Sequence, residues 1–277
     1  MLKTAAYHRL ANRRSGVLLP SAAPLGKRAG TGRNGKPKGF FAAGVASLTY
    51  EERGYSILNG IRNFLGKHID VNISGKGVFT GLLIDLGSDI LVMHNGFHYL
   101  YIPLVHIQSV KLGMTDLAIS ELSEQPIENH AEPISYRKIL VNAKGLFLEI
   151  YTSGGHSIHG YLTGIMNDYF VFYSPVYHTV FISMNHLKYL IPYQQDMTPY
   201  SLNQEYFPVK PSNITLSRTF EQQIKKLEGK FVVLDMDEHP RKIGLLKSFE
   251  DQQLELVTAN GDTYYWNMHH IKTVHLP

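Results

Sequence analysis

Apolar and polar residues alternate with a period of two in three stretches of this chain: Ile69, Val71 and Ile73, then Leu148 and Ile150, then Val232, Leu234 and Met236. That period predicts half-buried strands, because successive strand side chains leave opposite faces. The three stretches occupy one place in a repeat. Gly66 and Gly81, Gly145 and Gly160, and Gly229 and Gly244 are each 15 positions apart, with no gap needed. The second glycine of each pair lies inside the next predicted strand, in Phe79-Thr80-Gly81-Leu82-Leu83, Ile158-His159-Gly160-Tyr161-Leu162 and Lys242-Ile243-Gly244-Leu245-Leu246. A glycine recurring inside a strand predicts a sharp bend or a close backbone approach.

Asp89 and Asp168 follow their glycines by eight residues, and the third copy has Gln252 there with Asp251 one earlier. The matched places predict a turn-capping role for these acids, since Asp readily bonds its own backbone in turns. A further apolar strand follows in each copy, at Ile90-Leu91-Val92, Tyr169-Phe170-Val171 and Leu254-Glu255-Leu256. Asn95-Gly96 and Asn260-Gly261 predict type I′ hairpins, and Ser174-Pro175 marks the turn of the middle copy. Each copy closes on a strand carrying His and an aliphatic: His106-Ile107, His186-Leu187 and His270-Ile271. The equivalence of these histidines predicts a repeated structural bond that closes each unit.

A helix is predicted before each unit. Ile57, Leu58, Ile61, Phe64 and Leu65 share one helical face, as do Tyr136, Ile139, Leu140 and Ala143, and Phe220, Ile224 and Leu227. Thr219 and Gln222 have the spacing of a capping box. A short helix and then a bent five-stranded antiparallel meander closed on itself make a small barrel whose open end the helix covers. The predicted organisation is a basic arm over 1–46, repeats over 47–113, 134–192 and 216–277, an acidic linker over 114–133 and a Pro/Tyr/Gln-rich linker over 193–215. Units of about 60 residues bury little surface alone, so the repeats are expected to pack together or to pair strands edge to edge.

Charge changes this picture at one end. Nine basic residues and no acid lie between Met1 and Lys38, leaving 18 basic and 23 acidic residues in the rest of the 277-residue chain. Arg9, Arg13, Arg14, Lys27, Arg28, Arg33, Lys36 and Lys38, with Lys3, make the arm a candidate contact for RNA or another anion. Its Gly, Ala, Ser and Pro content predicts disorder until a partner is met. The opening Met1-Leu2-Lys3-Thr4-Ala5-Ala6 also has the composition of an organelle transit peptide, although the Gly-rich continuation reads equally as a tail. Val17-Leu18-Leu19-Pro20 is too short for the apolar core of a secretory signal, and no run has the length of a membrane span. The expected location at synthesis is the cytoplasm.

The residues resemble the Sm-like family, whose first motif is a strand, a bent strand with an apolar-x-Gly-x-Leu core and an acid a little further on. Phe79-Thr80-Gly81-Leu82-Leu83 with Asp89, and His159-Gly160-Tyr161-Leu162 with Asp168, are similar to it. The resemblance spans roughly 60 residues three times, the size of one small barrel. It implies a mainly β fold of three tandem Sm-like five-stranded antiparallel barrels, each preceded by a short helix. More narrowly, Tyr101-Ile102-Pro103-Leu104-Val105-His106-Ile107-Gln108-Ser109-Val110 is similar to a small uncharacterised family of Sm-like repeats in spore-forming bacilli. Some of its members are described as spore-coat or spore-associated proteins. RNA-binding Sm proteins end with an Ile-Arg-Gly or Tyr-Lys-His segment. The matching stretches here, Ile102-Pro103-Leu104-Val105-His106, Ile182-Ser183-Met184-Asn185-His186 and Trp266-Asn267-Met268-His269-His270, carry neither that glycine nor that lysine.

Candidate chemistry is sparse. The chain has no Cys, which removes disulfides, thiolate catalysis and Cys-ligated metals. No Gly-x-Ser-x-Gly, phosphate loop or His-Glu-x-x-His occurs. The histidines at 94, 98 and 106, at 156 and 159, and at 269 and 270 would need three or four ligands converging at about 2 Å to hold a metal, and the repeat reading makes them structural. Neither a metal site nor a cofactor is therefore expected. Aromatic runs such as Tyr169-Phe170-Val171-Phe172-Tyr173 and Tyr264-Tyr265-Trp266 suit stacked bases, but they suit a core and an interface better, because an acidic body repels phosphate. The expected function is non-enzymatic: an assembly or scaffold component, self-associating or joined to coat-type proteins. The alternative is an RNA-binding protein using the arm and an aromatic barrel face.

Overall fold

The computed structural model describes residues 58–114, 133–152, 157–193, 199–201, 215–237 and 239–277. The basic arm, residue 57 of the first helix, His156 and most of both linkers lie outside the described residues.

Among the described residues the fold is mainly β: fifteen antiparallel strands form one open sheet, with three short α-helices. The first repeat holds helix α1 (58–62) and strands β1 (His68–Ile73), β2 (Gly77–Leu86), β3 (Ile90–His94), β4 (Tyr99–Pro103) and β5 (Ile107–Leu112). The second holds α2 (Tyr136–Asn142), β6 (Phe147–Tyr151), β7 (Ile158–Ile165), β8 (Tyr169–Ser174), β9 (His178–Ser183) and β10 (Tyr189–Pro192). The third holds α3 (Phe220–Lys225), β11 (Phe231–Leu234), β12 (Ile243–Glu250), β13 (Gln253–Val257), β14 (Thr263–Asn267) and β15 (Thr273–His275). The sheet order is β14-β13-β12-β11-β15-β9-β8-β7-β6-β10-β4-β3-β2-β1-β5.

The predicted alternation places β1: Ile69, Val71 and Ile73 are buried and their neighbours half-exposed. Leu148 and Ile150 are buried in β6 on either side of half-buried Glu149, and Val232 and Leu234 are buried in β11, where Val233 between them is buried as well. Met236 does not continue β11. Buried Asp235 accepts the amides of Lys272 (2.6 Å) and Thr273 (3.2 Å) and pairs with Lys242, and Asp235 and Met236 turn to φ 52° and 57°. The carboxylate ends the strand by drawing the chain toward the last strand.

The repeated glycines do two jobs. Gly66, Gly145 and Gly229 end the helical segments at φ 72°, 85° and 75°, a left-handed conformation that L side chains resist. Gly81, Gly160 and Gly244 lie where a Cβ would press on the carbonyl oxygens of His94, Tyr173 and Val257 in the next strand. The register then shifts between Leu83 and Asp85, between Leu162 and Gly164, and between Leu246 and Ser248. Close approach followed by a bulge bends the second strand of every repeat in the same way.

Two local expectations change. At Asn95-Gly96 and Asn260-Gly261 only the glycines have positive φ, so neither is a type I′ turn. Asn95 instead accepts the amides of Phe97 (3.0 Å) and His98 (2.8 Å), which holds a four-residue loop. In a two-residue hairpin loop, paired positive φ values fall instead at Asp251 (49°) and Gln252 (63°), between β12 and β13. Nor do the five strands of one repeat close on themselves. β5 pairs with β1, whereas β4 pairs with β10 of the second repeat, and β9 pairs with β15 of the third. The fourth strand of each preceding repeat meets the fifth strand of the following one, and the cores follow that arrangement. Ile90, Val92, Tyr99 and Tyr101 of the first repeat belong to the second repeat's core. Tyr169, Val171 and Phe181 of the second belong to the third's.

Candidate functional site

Four of the recurring polar residues, Asp89, Asp168, His106 and His186, meet at the two joints between repeats. β3 and β4 are buried along their whole length, so both of their faces are covered. Their inward residues pack the first repeat, and their outward residues pack beneath α2 of the second. At the strand edges Leu190 stands opposite Tyr101 in the first joint and Val274 opposite Phe181 in the second, and all four side chains are buried. Burial of one such side chain stabilises the joint by roughly 1.5–3 kcal/mol.

The aspartates hold the joints rather than their own turns. Asp89 Oδ1 accepts the amide of Tyr136, the first residue of α2, at 2.8 Å. Asp168 Oδ1 accepts the amide of Phe220, the first residue of α3, at 2.8 Å. A helix start leaves amides without partners inside the helix, and a carboxylate there also meets the positive end of the helix dipole. Ser135 and Thr219 complete the two caps, accepting the amides of Lys138 and Gln222 at 3.3 Å. The earlier turn-capping expectation is therefore corrected: each aspartate caps the helix of the next repeat. Its backbone carbonyl separately holds its own repeat, through the amide of Leu104 on Asp89 and of Met184 on Asp168.

The histidines also reach across. His186 Nε2 donates to the carbonyl of His269 at 2.9 Å. His106 Nδ1 lies 3.0 Å from Lys188 Nζ, which also donates to Ser74 Oγ at 2.8 Å. An ammonium has only donors, so His106 accepts there and is neutral. Burial, then the charges of Lys188 and His186, push the His106 pKa down to about 4. Burial likewise lowers His186 and Lys188. His270, in the third repeat, is exposed. The predicted closing bond therefore links neighbouring repeats instead of closing one.

Tyrosines add to these joints, and Tyr169 belongs to the run expected to form a core and an interface. The Tyr169 hydroxyl donates to the carbonyl of Ser217 at 2.7 Å, 3.1 Å from Gln223 Oε1. Burial pushes its pKa up to about 12. Tyr151 and Tyr189 stack at 5.4 Å within the first repeat's core, and Lys76 sits 4.2 Å above the Tyr151 ring. The signal was present in the continuous apolar runs of β3, β4 and β8, which lack the polar alternation of a one-faced strand. Among the described residues no group of three or more His, Cys, Asp or Glu is placed to hold a metal, and no helix is long and apolar enough to cross a membrane. Arg9, Arg13, Arg14, Lys27, Arg28, Arg33, Lys36 and Lys38 lie outside the described residues.

A chain whose recurring polar residues fasten one repeat to the next belongs to the class of modular β proteins with a shared sheet. Comparison with known proteins places it further. Residues 219–274 match the family model described as YwrJ third domain. Over 225 residues the chain is 45% identical to the uncharacterized protein YwrJ of Bacillus subtilis (strain 168), covering 79% of this chain and 100% of that protein. The chain belongs to the YwrJ family.

Proposed function

We propose that this protein is a non-enzymatic assembly or scaffold component built from three Sm-like small-barrel repeats, made in the cytoplasm and incorporated into the bacterial spore coat. One observation carries the reading: the recurrent Asp and His side chains are engaged between repeats instead of converging on a cleft. Asp89 and Asp168 cap neighbouring helices, and His106 and His186 bond the following repeat. Groups committed to such bonds are poorly placed to bind substrate. A stiff shared sheet instead presents its surface to other proteins. The coat assignment rests on the resemblance to spore-associated repeats alone.

RNA binding through the basic arm is the second reading, favoured by nine basic residues and no acid between Met1 and Lys38. The two readings separate on salt. Phosphate-driven binding weakens steeply as salt rises, whereas apolar association survives it. Binding of labelled single-stranded RNA is measured for the full chain and for a chain starting at Ser47, at low and physiological salt, alongside sedimentation of both. Assembly predicts association of the shortened chain at both salts and no RNA binding by it at physiological salt. RNA binding by the shortened chain under those conditions overturns the proposal. Immunodetection in fractionated spores tests the coat assignment, and absence from the coat fraction overturns it.

A further inference from the structure

The two ends of the sheet are not alike. At the β14 end, the positions of Ile90 and Val92, matched by Tyr169 and Val171 in the second repeat, are taken by Gln253 and Glu255. Glu255 is held by Lys247 Nζ at 2.7 Å and Ser248 Oγ at 2.7 Å. Thr263 and Asn267 flank it on β14, and Gln252 stands where the internal joints have their capping carboxylate. Tyr265, the counterpart of buried Tyr101 and Phe181, is 66% exposed among these polar groups. This is the polar outer face of a terminal repeat.

At the β5 end the same comparison gives the opposite result. Leu140, Ala143, Leu187 and Leu190 are buried in the second repeat, and Ile224, Leu227, Ile271 and Val274 in the third. Their counterparts in the first repeat, Ile61, Phe64, Ile107 and Val110, are only partly buried. Leu65 and Leu112 beside them are 43% and 50% exposed. Among the described residues β5 pairs with β1 on one side only and ends the sheet, so no described strand lies on its outer edge. Lys111, its charged residue, is already paired with Asp70 at 3.1 Å.

We propose that this apolar end, with the β5 edge at its centre, is the docking surface for the same end of a second copy, giving a two-fold dimer. The internal joints show that this face is completed by a strand edge with apolar side chains. The chain's own matching edge, β14, is polar: Thr263, Tyr265 and Asn267 are exposed and Glu255 beneath Tyr265 is already tied to Lys247 and Ser248, so docking there would take polar groups out of water without new partners. Among the described residues β5 is the other open edge, and it presents Ile107, Val110 and Leu112. One adhesive end per molecule closes as a two-fold pair, whereas two unlike adhesive ends would give rings or fibres. Antiparallel pairing of β5 with its copy follows, because a two-fold axis across a strand edge reverses strand direction. The inference rests on the assembly reading and specifies its first contact.

The test uses the full chain. Sedimentation or light scattering is expected to give twice the 31.3 kDa chain mass at micromolar concentration. Leu112→Lys is expected to weaken the dimer at least tenfold, and Tyr265→Lys to leave it unchanged. Because the chain has no Cys, Ser109→Cys and Asn267→Cys each create a lone thiol on an exposed edge residue. A short bismaleimide should join two Ser109→Cys chains and fail to join Ser109→Cys to Asn267→Cys. A monomer overturns the inference, as does a cross-link that forms only between unlike variants, which would mark head-to-tail growth. Self-association insensitive to Leu112→Lys overturns this dimer but leaves the assembly reading standing. RNA binding by the shortened chain removes that reading itself.

Discussion

Replacing Asp168 by Ala removes the carboxylate that caps α3 from the neighbouring repeat. The lost bond is charge-assisted, 2.8 Å long and part-buried. Such a bond contributes about 1.5–3 kcal/mol, and the favourable field of the helix start adds roughly 0.3–1 kcal/mol. Water reaching the freed Phe220 amide offsets part of this, so the expected loss is about 2 kcal/mol. For a folded body of this size that lowers the Tm by about 4–8 °C. The chain's single tryptophan, Trp266, lies in β14 of the third repeat, so its fluorescence reports the repeat that Asp168 holds. In urea, Asp168→Ala should bring the fluorescence midpoint below the far-ultraviolet dichroism midpoint, because joined repeats behave as nearest neighbours. Asp89→Ala, at the other joint, should move the dichroism more than the fluorescence. Gln252→Asn, at the equivalent position in the last repeat, should change stability by less than about 0.5 kcal/mol. An Asp168→Ala curve that overlays the parent by both probes would refute the clasp, and so would a Gln252→Asn curve displaced as far as that of Asp168→Ala.

Further outcomes follow from the same geometry. Gly160→Ala should cost about 3 kcal/mol, because its Cβ meets the Tyr173 carbonyl, which is backbone and cannot swing aside; an unchanged melting curve would show that the strands can separate there. Tyr169→Phe leaves the Ser217 carbonyl and the Gln223 amide without the hydroxyl and should cost about 1–3 kcal/mol by urea titration. The pKa of His106 is depressed to about 4 against an unfolded value of 6.5. The unfolded chain therefore binds the extra proton first, and the contribution, present above pH 6.5, is lost as pH falls toward 4. At most about 3 kcal/mol is involved, and urea midpoints between pH 7.5 and 4.5 should slope less in His106→Gln. An equal slope would assign the pH dependence to other groups.

The repeat itself was legible because its markers are local. A left-handed helix end accepts Gly66, Gly145 or Gly229 far more readily than other residues, and a close strand crossing has no room for a Cβ at Gly81, Gly160 or Gly244. Alternation identified β1, β6 and β11 for the same reason, since strand period depends only on neighbouring residues. Met236 escaped this logic because the left-handed turn that displaces it is made by Asp235 with Lys272 and Thr273, 37 and 38 residues away.

Which strand meets which was decided only by the tertiary structure. Sequence spacing predicted that His106, His186, Asp89 and Asp168 recur, yet each serves a different repeat from the one it marks. Their partners, among them Tyr136, Phe220 and His269, lie between 47 and 83 residues away. No local pattern records such a distance. The unbroken apolar runs of β3, β4 and β8 did carry a clue that both faces are covered, and the polar alternation of β13 carried the contrary clue. Burial of both faces requires a second layer, but a one-dimensional pattern cannot say whether that layer is the strand's own repeat, the next one or a second molecule. Packing of the neighbouring repeat against the outward faces of β3, β4, β8 and β9 resolved that choice inside the chain.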